Sequence, residues 1–181
     1  VFKCSWVACF DESMSIWMNK WTIPGWTFVP RKPHPFGQEW HTIACGKCRL
    51  LFCAELVEGK DAPSELLKDK QKGTTGLLLR LCKSLYISGR VVVLDSGFCV
   101  LAALLALREV GVYAAAVIKK RRYWPKHVPG DVIDDDMKDC EIGDNKVMTG
   151  KLEGKQYRFF MMKEPAFIMK MMATYGDLDT P

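Results

Sequence analysis

The stretch RVVVLDSGF, Arg90 to Phe98, decides the fold. Val91, Val92, Val93 and Leu94 are consecutive, apolar and mostly β-branched. Such an unbroken run reads as a strand buried on both faces, the kind found inside a parallel sheet. It ends on a carboxylate, Asp95, followed by the small pair Ser96-Gly97. An apolar segment of helical length then runs from Phe98 to Val110, and Gly111 stops it. A second apolar strand follows, VYAAAVIKK, residues 112–120. Strand, helix and strand in that order imply a parallel pair with a crossover helix.

Working outward, Leu77, Leu78, Leu81, Cys82 and Leu85 fall at helical spacing. They predict an amphipathic helix over 75–87, ended by Gly89. Before it lies a charged, exposed segment, 60–73, with Asp61-Ala62-Pro63-Ser64 as a helix-start signal. The runs WHTIAC (40–45) and CRLLFCAELVEG (48–59) read as a hairpin turning at Gly46-Lys47. Between Trp17 and Trp40 the chain is crowded with Trp and Pro, which keep it extended. The first strand reads as Phe2–Phe10, closing at Asp11-Glu12-Ser13. Downstream, 121–145 is polar and loop-like, and 146–176 gives about three strands broken at Glu153-Gly154 and Glu164-Pro165. The expected architecture is α/β. An antiparallel meander comes first, then parallel strands with flanking helices, then C-terminal β-hairpins. One domain over 1–181 is expected, with 121–181 as its extension.

The chain has 181 residues, 49% of them hydrophobic, enough for a real core. A net charge of +5 and a pI near 8.7 favour an anionic partner only mildly. Eight cysteines in so aliphatic a chain, several inside apolar runs, fit a reducing compartment better than a disulfide framework. No leader and no run of about 20 apolar residues is visible, so no membrane span is expected.

Asp11 and Asp95 each follow an apolar strand, where a charge is costly unless hydrated, paired or bound to a cation. If both strands are central, the two carboxylates can share divalent metal and serve a phosphoryl displacement. Each can equally cap the turn that follows it. Cys45-Gly46-Lys47-Cys48 lacks the second Cys pair of a zinc module, and strand alternation scatters His41 and Cys53, so a structural turn is the expected role. Lys119-Lys120-Arg121-Arg122, followed by Tyr123, Trp124 and Lys126, mixes cations with aromatic faces as phosphate contact and base stacking require. Arg31-Lys32 is a smaller basic site, and Asp134-Asp135-Asp136 reads as solvated acid. A phosphatase using Asp95 as nucleophile would need a second Asp two residues on, where Gly97 stands.

Four segments in one order resemble the catalytic core of piggyBac-type transposases and the proteins derived from them. They are DESM (11–14), VPRKPHPFG (29–37), VVVLDSGFCVLAALLALREVGV (91–112) and VIKKRRYWPKHVP (117–129). The resemblance implies a ribonuclease-H-like fold and cut-and-paste DNA transposition with two divalent ions, Mg²⁺ or Mn²⁺, and no zinc. It makes Asp11 and Asp95 the first two members of an acidic metal-binding triad. Lys32, Lys119, Lys120, Arg121, Arg122 and Lys126 would face DNA, both transposon ends and target. It further implies a nuclear location and leaves a homodimer open for the full-length protein. The third Asp of the family lies in an Asn- and Gly-containing stretch that has no match here. Asp177 and Asp179 do not fit it, so the expectation is a fragment, inactive alone, or a domesticated DNA-binding or protein-interaction domain on the same fold.

Overall fold

The computed structural model describes residues 4–19, 23–57, 73–119, 124, 128 and 130–175. Nine strands form one mixed sheet. They are β1 (Val7–Ile16), β2 (Trp26–Phe28), β3 (Phe36–Cys45), β4 (Leu51–Leu56), β5 (Val91–Leu94), β6 (Tyr113–Val117), β7 (Asn145–Leu152), β8 (Lys155–Lys163) and β9 (Ile168–Ala173). Among the described residues, three helices accompany them: α1 (Gly73–Leu81), α2 (Leu101–Glu109) and α3 (Gly130–Asp136). The strand order is β2-β3-β1-β5-β6-β9-β8-β7, with β4 also paired to β3.

β5 lies between β1 and β6 and is parallel to both. Its Val91, Val92 and Leu94 are buried, which is why the strand carries no polar alternation. α1 and α2 cover one face, where Leu78, Leu81, Leu104 and Leu107 pack with Ala8, Phe10, Val92, Leu94, Ala114 and Ala116. The small alanines of β6 let α2 sit close to the sheet. A forked ion pair, Arg80 Nη2 to Glu55 Oε1 at 2.7 Å and Nε to Oε2 at 3.1 Å, ties α1 to β4. The C-terminal strands extend the same sheet, β9 pairing with β6 through Ala115 to Val117.

The observed elements depart from the sequence reading in four places. β1 begins at Val7 and continues to Ile16, so Asp11 stands inside a strand and not at its end. The reason is the antiparallel ladder with β3, which holds β1 from Ala8↔Cys45 to Ile16↔Gly37, well past the last β5 partner. α1 stops at Leu81, and a 3₁₀ turn, Lys83–Leu85, follows. Ile87 and Gly89 give their N–H groups to Val110 and Gly111 carbonyls at 2.9 and 3.0 Å, tertiary bonds that compete with helix continuation. Gly111 has φ +72°, and a Cβ there would lie 2.8 Å from the Ile87 Cα. α2 begins at Leu101, because Ser96–Phe98 form their own 3₁₀ turn. Within the expected loop 121–145, α3 forms, anchored by buried Ile133, with Met137 buried just beyond it. Of the charged segment 60–73, residues 60–72 lie outside the described residues, and Gly73 opens α1.

Candidate metal and nucleic-acid site

The parallel register Phe10↔Leu94 fixes the site. Asp11 and Asp95 are each the next residue in the chain, Asp11 within β1 and Asp95 just past the end of β5. Ala8 and Phe10 of β1 are buried against the helices, whereas Cys9 and Asp11 are exposed on the opposite face. Asp95, extended at φ −70° and ψ 165°, keeps the alternation and is exposed too. The fold thus places the two residues that the sequence singled out at the same end of the β1–β5 register, both exposed.

Asp95 occupies the cap position of the 3₁₀ turn, yet its side chain makes no capping hydrogen bond. Instead Lys119, two residues past β6, donates from Nζ to Asp95 Oδ1 at 3.3 Å. Burial pushes the Asp95 carboxyl up, but the Ser96 backbone N–H and the Lys119 ammonium together outweigh it and hold the group below its ordinary value. Both partners are largely exposed, so the pair contributes little to stability. On the other flank of Asp11, Thr42 stands opposite it on β3 and donates from Oγ1 to the Asp11 carbonyl at 3.2 Å.

Lys32 sits on the neighbouring residue, donating to the Glu12 carbonyl at 3.2 Å with Nζ 3.7 Å from the Glu12 carboxylate. Arg31 also pairs with Glu12, whose hydrogen bond and charge raise the guanidinium's pKa. The segment 29–37 is therefore clamped to β1 one residue from Asp11. His41, opposite Glu12, lies 6.1 Å from the Phe10 ring and 5.4 Å edge-on from Phe98. Burial lowers its pKa. Sequence reasoning weighed His41 only as a ligand beside Cys45 and Cys48 and passed over Thr42, although the hairpin pairing of β3 was the signal that could have placed both beside β1.

Lys120, Arg121, Arg122 and Lys126 lie outside the described residues. Trp124 is engaged in packing: its ring meets Phe159 at 5.6 Å, and Lys170 Nζ lies over it at 4.9 Å. A cavity of about 470 Å³ beside it is lined by Lys119, Trp124, Asp134, Phe167 and Lys170. The acidic cluster is on α3, with Asp134 paired to Lys170 and Asp136 to Lys146 at 2.5 Å. Among the described residues, no third His, Cys, Asp or Glu gathers with Asp11 and Asp95. Asp177 and Asp179 are not described.

The strand order, with β5 parallel to both of its neighbours and antiparallel strands on either side, makes this a mixed α/β sheet. A family model described as Transposase IS4 matches residues 1–180, and the chain belongs to that family, the piggyBac-type DDE transposases. No curated protein matches the chain. Among solved structures, it is similar to the piggyBac transposase in a synaptic complex with hairpin DNA, with a TM-score of 0.72 and 11% identity. That likeness covers 99% of this chain and 35% of the transposase chain, so the chain spans about a third of that protein's length. The fold expected from RVVVLDSGF is the fold observed.

Proposed function

We propose that this chain is the part of a DNA transposase that supplies the first two carboxylates of a divalent-metal site for strand cleavage and transfer. The observation that carries it is the register Phe10↔Leu94, which sets Asp11 beside Asp95 on one exposed face. Two hard oxygen donors with a depressed carboxyl fit Mg²⁺ or Mn²⁺. Bound there, the ion would lower the pKa of water and stabilise charge on the scissile phosphate. Asp11 and Asp95 hold the negative charge that attracts it, and Lys119 neutralises Asp95 otherwise. Thr42 and the Arg31–Lys32 clamp on Glu12 fix the β1 backbone, so the Asp11 carboxylate keeps its position. The exposed Lys119 beside Asp95 would contact phosphate in a salt-dependent, sequence-tolerant way. A nuclear location and a homodimer of the longer protein belong to the same proposal.

The test is incubation of the chain with duplex DNA and Mg²⁺ or Mn²⁺. Two carboxylates alone bind metal weakly, so little or no nicking is expected, with salt-sensitive DNA binding retained. Divalent ions should enhance that binding, and Asp95→Ala should remove the enhancement. Robust nicking abolished by Asp95→Ala would show that a third acid is unnecessary. DNA binding indifferent to metal and to both Asp11→Ala and Asp95→Ala would select a domesticated, non-catalytic DNA-binding domain instead.

A further inference from the structure

The Cys45-Gly46-Lys47-Cys48 turn, expected from sequence to be structural, gains a third thiol in the fold. Cys4 sits just before β1, and its sulfur joins those of Cys45 and Cys48, all three within 4.8 Å of one another. All three are free thiols. We propose that Cys4, Cys45 and Cys48 form a thiolate site for a soft-leaning divalent cation, Zn²⁺ by preference, separate from the carboxylate pair.

Tetrahedral zinc binds thiolates at about 2.3 Å, which sets neighbouring sulfurs about 3.8 Å apart. The observed spread needs only a small closing motion to reach that. The turn is already shaped for a metallated sulfur. Ser5 N–H donates to Cys45 Sγ at 3.2 Å and Cys48 N–H at 3.5 Å. Together with the Lys47 N–H, these donors lower the Cys45 thiol from its ordinary value. Cys4, by contrast, is raised by burial and by the charge of its two neighbours, a repulsion that a cation would relieve. Arg49, the next residue, holds a left-handed φ of 59° that closes the turn by bonding its N–H to the Cys45 carbonyl at 3.0 Å. Lys47 and Arg49 offset the net negative charge of three thiolates on Zn²⁺. Cys48 is exposed, so solvent supplies the fourth donor.

The site has a structural consequence. It would fasten the β3–β4 turn to the chain leading into β1, reinforcing the Gly46 N–H bond to the Val7 carbonyl at 2.9 Å. It stands at the N-terminal end of β1, away from Asp11 in the middle of the strand, and its soft donors differ from the carboxylate oxygens.

The experiment is elemental analysis of the 181-residue chain purified under reductant without added metal, followed by Co²⁺ titration of chelator-treated protein. Near one zinc per chain is expected, with a thiolate-to-cobalt charge-transfer band and a lower melting temperature after chelation. Cys4→Ser and Cys48→Ser, checked for folding by circular dichroism, should each weaken metal affinity by at least the ~10–100-fold that a lost outer-shell partner costs. Cys140→Ser, distant on the α3–β7 connection, should match the parent. Folded protein with no stoichiometric zinc and no charge-transfer band would overturn the proposal. So would metal content unchanged in both Ser variants, or a disulfide joining two of the three under reductant.

Discussion

Asp95 and Lys119 form a pair whose chemistry can be read by titration. The Asp95 carboxyl is depressed in the folded state, so its contribution to stability is present above the unfolded carboxylate value and is lost as pH falls through the lower folded value. Removing the ammonium by Lys119→Ala should move the Asp95 titration, followed by carboxyl NMR, upward toward the ordinary carboxylate range. His41 behaves likewise for a different reason. Its imidazole is half-buried among Phe10 and Phe98, and burial favours the neutral form. That contribution is complete above about 6.5 and is lost as pH falls through the folded value. The melting temperature should therefore drop more steeply between pH 7 and 5 in the parent than in His41→Phe. An identical slope in the two would mean that His41 is hydrated.

The strands explain why some of this was legible in the sequence. The run Val91–Leu94 announced a doubly covered strand because burial on both faces leaves no polar alternation. The hairpin at Gly46-Lys47 and the breaks at Glu153-Gly154 and Glu164-Pro165 were readable because turn chemistry is local. The true length of β1 was not, since residues 11–16 are held by a ladder to β3 and carry only Met14 and Ile16 as apolar residues. The Cys4–Cys45–Cys48 group escaped for the same reason: Cys4 is 41 residues from Cys45 in the chain, and the fold alone brings them together. Gly37 shows how tight that pairing is. Its φ is +148°, and a Cβ would lie 2.0 Å from the Ser15 carbonyl oxygen. Gly37→Ala should cost about 2–4 kcal/mol in denaturant unfolding through strain and overpacking. Leu94→Ala, which empties a fully buried site beneath the carboxylates, should cost about 2–5 kcal/mol. A loss under 1 kcal/mol at Leu94 would mean that β5 is not the centre of the core.

For the molecule as a whole, the sheet orders three kinds of surface around one core. The helices cover one face, the carboxylates and Lys119 occupy the other, and the thiol cluster fastens the far end of β1. The metal role proposed for Asp11 and Asp95 rests on membership of the transposase family and on the register of β1 with β5. The direct measurement is Mn²⁺-induced broadening of backbone amide resonances in the isotope-labelled chain. The account predicts saturable broadening centred on Asp11, Glu12, Asp95 and Ser96, abolished by Asp11→Asn or by Asp95→Asn. Broadening that survives both substitutions, or that centres elsewhere, would contradict it.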